Sequence, residues 1–444
     1  MPQMPVGRWA VNARIRRCHR ALRASSVSGD GQCDRGRGWQ DTCALRPCLI
    51  LFLYLPRMLR HARIVAAVIA ALPLMVVVAE VTTRFDDWLR FDMPFTANAD
   101  EAEDLQTFDT LGVRGRPYGR YLHYHLDNHG FRGAQDFDVM KTAGCTRVMA
   151  LGASETFGAT EPEGFEYPAQ LARRLGQRGC AQVLNAGVPG MTLPQIRYTW
   201  NHYWRQFAPD YVLIYPTPVF YLANNRPRGP RIDALRNGPL TRTPFRPRLL
   251  FLAHQAFSYP EIIQRRRVER FTQAALAGTP DDSLWRRVPE ERLTMFAADL
   301  DSLVTDVQVA GSTPVLMTHA IRFAMHPDPA DADVLAAWRQ FTPRALSPVM
   351  IAFEARAAEE TRGLAARRGL PLADVACVLT GQREHFSDFV HFTADGAAIV
   401  AEVTEHALFP DGSAGLSRPA NDRVDCGDDR QVLETSGGRQ VGSF

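Results

Sequence analysis

From Cys145 onward, short apolar runs of strand length alternate with longer segments that carry apolar residues at helical spacing. This alternation predicts a parallel sheet with helices on both faces, because a crossover between parallel strands needs a connection of helical length. The predicted strands are residues 147–151, 182–185, 211–215, 313–317 and 370–378. The predicted helices are residues 166–177, 193–207, 290–309 and 394–408, with a helical region at 330–368. We therefore expect an α/β fold of three layers, α/β/α, around a central parallel sheet of about five strands.

The first 60 residues have a charge balance unlike that of the rest of the chain. They contain eleven Arg and three Asp, a balance of +8 in a chain whose formal net charge is +3. The remaining residues are therefore acidic on balance and offer no basic stripe, so we expect no nucleic-acid partner.

An apolar segment at residues 64–81 follows the basic residues Arg60 and Arg63. Its uncharged run, 64–79, is shorter than the roughly 20 residues that span a bilayer, but Val81 and snorkelling by the flanking arginines bring it into range. No clear small-x-small cleavage site follows, so residues 58–84 are predicted to be a transmembrane signal anchor, with a cleaved signal peptide as the alternative. In either case the basic flank stays in the cytoplasm and the downstream chain is exported.

These patterns divide the chain into five parts. Residues 1–57 are rich in Arg, Ser and Cys, and we interpret them as a start-site artefact upstream of Met58 or as a disordered leader. The anchor at 58–84 precedes a lead-in at 85–142 and a main domain at 143–408, which carries an Arg- and Pro-rich insertion at about 225–290. The tail at 409–444 is rich in Gly, Ser, Asp and Arg and is predicted to be disordered.

Export would place the cysteines in a compartment where disulfides persist. Cys145 and Cys180 each stand just before a predicted strand, at 147–151 and 182–185. If those strands are parallel neighbours, both cysteines lie at the same end of the sheet. We predict a disulfide between them, and two unpaired buried thiols remain the alternative.

Two short segments carry residues with the chemistry of a hydrolytic nucleophile. Ser154 follows the first predicted strand in the run Gly152-Ala153-Ser154, and Asp388 precedes His391 by three residues. Serine, histidine and aspartate can act as attacking group, proton carrier and orienting anion. The alternatives are a helix N-cap for Ser154 and a surface pair for Asp388 and His391.

The order of these motifs resembles that of the SGNH/GDSL hydrolase family over roughly residues 120–408. The lead-in run from Asn128 to Gly133 is similar to that of a membrane-anchored bacterial branch. This resemblance implies a flavodoxin-like fold and a catalytic domain on the periplasmic or extracellular side of a bacterial inner membrane. The matching motifs are Gly152-Ala153-Ser154, Asn185-Ala186-Gly187-Val188-Pro189-Gly190, Asp388-Phe389-Val390-His391 and Asn128-His129-Gly130-Phe131-Arg132-Gly133.

The resemblance also implies a role for each residue of the site. Ser154 would be the nucleophile, and its own backbone N–H would help to stabilise the oxyanion. Gly190 would supply a second backbone donor, with no Cβ to obstruct the reacting carbonyl. His391 would act as general base and then as general acid, while Asp388 would hold its imidazole in the required tautomer.

The chain departs from the family pattern in two places. Ala153 stands where the family name implies Asp, which is not the nucleophile. Pro218 stands where the family has an Asn that donates a third hydrogen bond to the oxyanion, and proline has no donor. Losing one such donor can cost about 10²–10³ in rate. Residues that could substitute are Asn224, Asn225 and His319.

A cluster of histidines, His123, His125 and His129, lies in the lead-in. No acidic or cysteine pattern completes a metal site, and the alternation of His123 and His125 also fits one face of an extended segment. We therefore predict neither a metal nor a cofactor.

The function that follows is an exported, membrane-tethered serine esterase. It would remove an O-acyl group, such as acetyl, from a glycan or lipid substrate through an acyl-enzyme on Ser154. If a sugar hydroxyl replaced water, the same residues would make an O-acyltransferase. A third hypothesis, supported by Pro218, is a non-catalytic envelope protein that binds glycans on a hydrolase scaffold.

Overall fold

The computed structural model describes residues 41–91, 93–96, 105–222 and 284–410, with a few residues between 247 and 273. The predicted leader before residue 41, most of the insertion and the tail after residue 410 lie outside the described residues. The chain divides into two units, Met1–Thr82 and Thr83–Phe444.

The N-terminal helix α1 (Asp41–Phe91) is 51 residues long and begins well before Met58. Its segment Ala66–Phe91 has a mean hydropathy of 2.1 over an 18-residue window. Among the described residues it is the one helix long and apolar enough to cross a membrane, a property of length and composition that signal sequences share.

The larger unit is built on a five-stranded parallel sheet, as the sequence predicts. The strand order is β6–β5–β7–β8–β9, so β5 lies inside the sheet between β6 and β7. All four pairings are parallel, with Ala150 of β5 opposite Asn185 of β6 and Leu213 of β7. These strands are β5 (Thr146–Gly152), β6 (Ala181–Asn185), β7 (Tyr211–Tyr215), β8 (Thr313–Met317) and β9 (Leu372–Ala373).

Helices connect the strands and cover both faces of the sheet. Two of the predicted helices have the predicted bounds, α5 and α9. The helices after α1 are α2 (Ser154–Phe157), α3 (Tyr167–Gly176), α4 (Leu193–His202), α5 (Glu290–Val309), α6 (Ala332–Arg339), α7 (Ser347–Arg368), α8 (Val375–Leu379) and α9 (Ala394–Leu408).

Side chains of the sheet alternate between two hydrophobic clusters, one on each face. On β5, Met149 and Leu151 enter the first cluster, which also contains residues of α4, α5 and α7. Val148 and Ala150 enter the second cluster, with residues of α3 and α9. Because β5 is buried on both faces, its residues from Val148 to Leu151 are all apolar rather than alternating. The three-layer α/β/α prediction is therefore confirmed.

Three predicted elements differ from the observed ones. The predicted strand 370–378 is only the two-residue β9, because Thr318, just after β8, accepts the N–H of Ala376 (2.8 Å) and so begins α8. The predicted helical region 330–368 contains two helices, α6 and α7, which are separated where Pro343 disfavours helical geometry at the residue before it. The predicted helix 193–207 ends at His202 and continues as a 3₁₀ turn, Trp204–Phe207.

The lead-in contains two short antiparallel hairpins and packs on the sheet domain. Phe131 and Val113 lie in the first hydrophobic cluster, beside residues of the sheet. The buried guanidinium of Arg147 on β5 donates to the carbonyls of Asp138, Val139 and Met140, which anchors the end of the lead-in. The hairpin strands are β1 (Gln106–Asp109), β2 (Gly112–Gly115), β3 (Arg120–Tyr121) and β4 (Tyr124–His125).

Cys145 and Cys180 form a disulfide at the amino ends of β5 and β6, with their Cα atoms 4.5 Å apart. The backbone N–H of Thr146 donates to the carbonyl of Cys180 (2.9 Å), so the parallel pairing holds both residues in register. The bridge closes a segment of 35 residues that contains α2 and α3. A loop of this length reduces the entropy of the unfolded chain by an amount equivalent to about 3–4 kcal/mol.

We predict that replacing Cys145 and Cys180 together by Ala lowers the free energy of unfolding by about 3–4 kcal/mol in urea titrations. Cys145→Ala alone is the control, because losing either sulfur removes the whole bridge and the single variant should lose nearly as much. A non-reducing peptide map in which both cysteines are alkylated would contradict the disulfide.

Candidate functional site

Ser154 lies at the carboxyl edge of the inner strand β5, as the first residue of the short helix α2. The turn is tight, since a Cβ on Gly187 would lie 2.3 Å from the backbone nitrogen of Phe157. Glycine at position 187 therefore lets the loop after β6 approach α2 closely. The side chain of Ser154 is half-buried at this edge.

Asp388 and His391 contact each other in the loop before α9. Asp388 Oδ1 accepts the backbone N–H groups of Val390 and His391, both at 2.9 Å. Its Oδ2 lies 2.6 Å from His391 Nδ1. Burial raises the pKa of Asp388, but the hydrogen bond and charge of His391 outweigh burial and lower that pKa. The carboxylate is therefore ionised at neutral pH and orients the imidazole with Nδ1–H towards it.

The other ring nitrogen of His391, Nε2, has a different environment. Nε2 is buried and has no hydrogen-bond partner within the described part of the chain. Burial favours the neutral imidazole, but the hydrogen bond to Asp388 and the charges of Glu155, Asp388 and Glu161 raise the pKa of His391 overall. An unpaired, buried Nε2 is free to accept a proton from a neighbouring hydroxyl.

Ser154 and His391 are not hydrogen-bonded to each other in this structure. The hydroxyl of Ser154 donates instead to Glu155 Oε2, at 3.2 Å. The charge of Glu155, the residue that follows Ser154, raises the pKa of His391. The structure thus brings Asp388 and His391 into direct contact and leaves Ser154 with a different partner.

The residues predicted for the oxyanion site differ in their burial and in their hydrogen-bond partners. Gly190 has a left-handed φ of +78° and lies exposed at the turn before α4. Pro218 is buried after β7. Both ring nitrogens of His319 are engaged by carboxylates, so this histidine has no N–H left to give to an oxyanion. Asn224 and Asn225 lie outside the described residues.

A buried carboxylate–imidazole–carboxylate cluster lies beside Ser154. His319 Nε2 donates to Glu155 Oε1 (3.1 Å), and Nδ1 donates to Glu354 Oε2 (2.7 Å). Burial favours neutral His319, but the charge of Glu354 and the hydrogen bonds to both carboxylates outweigh it and raise its pKa to about 10. His319 is therefore an imidazolium at neutral pH. Further donors to the cluster are Thr217, to Glu155 at 3.4 Å, and the backbone of Val219, to Glu354 at 2.9 Å.

The sequence did not identify Glu155 or Glu354 as residues of the site, although the apolar pattern around Glu354 contains a signal. Glu354 lies on the buried face of α7, between Met350 and Ala357 one turn away on either side. A charged residue on an apolar helical stripe is almost never buried without a partner. The partner, His319, lies in another element 35 residues away, so the sequence could not name it.

A second interaction missed in the sequence is a clamp by Arg132 on the loop after α2. Its guanidinium is buried and donates to the carbonyls of Phe157, Gly158 and Glu161. Its backbone N–H donates to the carbonyl of Asn185, 3.0 Å away at the end of β6. Arg132 thus joins the lead-in to the segments that follow β5 and β6.

Glu161 is a third buried acid near His391. Its Oε2 accepts the backbone N–H of Thr160 (3.1 Å), while Oε1 has no hydrogen-bond partner among the described residues. Burial raises the pKa of Glu161 to about 7. The site therefore holds an acid that changes charge near neutral pH and acts on His391.

The lead-in histidines have partners of other kinds. His125 Nδ1 lies 2.5 Å from Glu163 Oε2, and the ring of His129 packs edge-on against Phe207. Within the described residues, no group of three or more His, Cys, Asp or Glu is placed to hold a metal ion.

No family model and no curated protein matches the sequence. Among solved structures, the chain is similar to a catalytic variant of Axe2, an acetylxylan esterase from Geobacillus stearothermophilus, with 14% identity and a TM-score of 0.35 over 60% of this chain and 94% of that chain. It is also similar to TesA (13% identity, TM-score 0.34, 60% and 99%) and to the M. smegmatis aryl esterase (12%, 0.35, 59% and 98%). Similarity at this level assigns no activity.

We predict that Arg132→Met lowers the free energy of unfolding by about 2–4 kcal/mol, because three buried carbonyls would lose a charged donor. Urea titration measures the loss, and hydrogen exchange should rise in residues 157–161. Arg116→Met is the matched control, since Arg116 is an exposed arginine of the same lead-in and its loss should cost less than about 0.5 kcal/mol. Equal losses in the two variants would contradict the clamp.

Proposed function

We propose that this protein is a serine ester hydrolase that removes an O-acyl group from a glycan or lipid. The observation that carries the proposal is the Asp388–His391 pair, whose buried Nε2 has no partner among the described residues. The charge of Glu155, next to Ser154 on the strand-end turn, acts on the same histidine. A binding module would have no need for both a serine at a strand end and a carboxylate-oriented histidine.

The proposed reaction begins when the Ser154 side chain turns from Glu155 to His391. His391 Nε2 takes the hydroxyl proton while Oγ attacks the ester carbonyl, and the backbone N–H groups of Ser154 and Gly190 receive the oxyanion. The protonated His391 then gives its proton to the leaving alcohol. Water, deprotonated by His391, releases the acyl group from Ser154 as a carboxylic acid.

The proposed location is the outer side of a membrane, with α1 as the tether. The supporting observations are the apolar segment Ala66–Phe91 and the Cys145–Cys180 disulfide, since disulfides persist in exported proteins. The substrate would then be an acylated component of the cell envelope.

Two observations favour a second candidate, a glycan-binding protein without activity. The hydroxyl of Ser154 is hydrogen-bonded to Glu155, and both ring nitrogens of His319, a suggested replacement for the donor missing at Pro218, are engaged by carboxylates. With a weaker oxyanion site, turnover would be slower by about 10²–10³.

We predict that the full-length protein in detergent is labelled by a fluorophosphonate probe and hydrolyses p-nitrophenyl acetate. Ser154→Ala should abolish labelling, and His391→Ala should lower kcat by at least about 10³. His406→Ala is the matched control, because His406 is exposed on α9 and should keep full activity. A parent protein that shows neither labelling nor turnover would refute the hydrolase and favour glycan binding.

We predict that kcat/KM falls as the pH drops through a value above 6.5, the ordinary pKa of histidine. The sign follows because His391 accepts a proton only when neutral, and its pKa is raised in the folded protein. Asp388→Asn should shift this acid limb to lower pH, since it removes an anion that stabilises the imidazolium. A limb at or below 6.5 in the parent would contradict the assigned environment of His391.

A further inference from the structure

Glu155 is the side chain that the hydroxyl of Ser154 contacts in this structure, and it is 1% exposed. A carboxylate so deeply buried must be compensated by donors. Its donors come from three separate segments: Ser154 on its own turn, Thr217 after β7 and His319 after β8. The position of the carboxylate is therefore set by the fold rather than by its own helix.

The cluster carries one more negative charge than it can neutralise internally. Glu155 and Glu354 are two carboxylates, and His319 is one imidazolium between them. Hydroxyl and backbone donors stabilise the remaining charge, and the hydroxyl of Ser154 is among them. Turning Ser154 away from Glu155 thus removes one donor from a buried anion.

The segment around Pro218, where the resemblance leads us to expect an oxyanion donor, donates to the cluster instead. Thr217 and Val219 flank Pro218, and both donate to the cluster, one to Glu155 and the other to Glu354. The segment after β7 therefore donates hydrogen bonds to two carboxylates. One is Glu155, which contacts Ser154, and the other is Glu354, which contacts His319.

We propose that Glu155 is a positioning residue, which holds the hydroxyl of Ser154 in the resting site and supplies a fixed, buried negative charge that acts on His391. This inference rests on the proposed ester hydrolysis. In the proposed reaction, Glu155 contacts no substrate. His319 and Glu354 hold its carboxylate in place. When a substrate binds, the hydroxyl of Ser154 turns from Glu155 to the unpaired Nε2 of His391. The charged groups that act on His391 are Asp388, Glu155 and Glu161.

The test is Glu155→Gln, which keeps the size of the side chain and removes its charge, in the full-length protein in detergent. We expect kcat to fall about 10-fold to 100-fold with little change in KM, because the imidazolium that forms on His391 during the reaction loses a stabilising anion. We also expect the acid limb of kcat/KM to move to lower pH, because an anion that stabilises the imidazolium of His391 is gone. Glu155→Asp, which keeps the charge, should lower kcat but leave the limb in place.

Glu354→Gln is the matched control. This variant removes a carboxylate from the same buried cluster, one that also contacts His319. Unlike Glu155, however, Glu354 does not contact Ser154 and is not among the charges named above that act on His391. Its acid limb should stay where it is in the parent. If Glu155→Gln lowers kcat without moving the limb, or if both variants move it equally, Glu155 has only a structural role and the proposal is wrong.

A titration that needs no activity separates this inference from the proposed function. In protein labelled with ¹³C-histidine, the His391 signal is assigned by its loss in His391→Ala and followed with pH. A lower pKa in Glu155→Gln, but not in Glu354→Gln, supports the fixed charge even if the parent hydrolyses no ester. An unchanged pKa in Glu155→Gln overturns the inference even if the parent is an active esterase.

Discussion

The arrangement of the site depends on the hydrogen bonds that the guanidinium of Arg132 donates. It donates to three carbonyls in the loop after α2 and lies over the rings of Tyr124 and Phe157, 4.9 and 4.8 Å from their centroids. Its backbone is tied to Asn185 at the end of β6. The lead-in is therefore a structural part of the site, because without this cation three buried carbonyls of the loop would lose a charged donor.

The charges around Ser154 are arranged in two groups. In one group, Asp388 orients His391 and leaves Nε2 unpaired within the described part of the chain. In the other, the cluster of Glu155, His319 and Glu354 accepts the hydroxyl of Ser154. In a water-poor interior these charges interact strongly, so under the proposed function the direction of the hydroxyl decides whether the site is at rest or ready to react.

Much of the fold could be predicted because it follows from local patterns. Strands buried on both faces read as apolar runs, and α5 and α9 begin and end where the predictions placed them. The errors have specific causes in tertiary or local structure. Strand β9 is short because Thr318, which follows another strand, begins α8 by accepting the N–H of Ala376. The break before α7 follows from Pro343, whose effect on the preceding residue an apolar pattern does not reveal.

The sequence by itself determined the order of strands and helices, the place of Ser154 after β5, and the contact between Asp388 and His391, which are only three residues apart. It also placed Cys145 and Cys180 just before two strands, whose pairing the tertiary structure decided. Only the tertiary structure decided the partners of Glu155, since His319 lies 164 residues away and Glu354 lies in yet another element. The physical reason is that local spacing sets contacts within one turn or loop, whereas burial of charge is compensated by whichever distant groups the folded sheet and helices bring together.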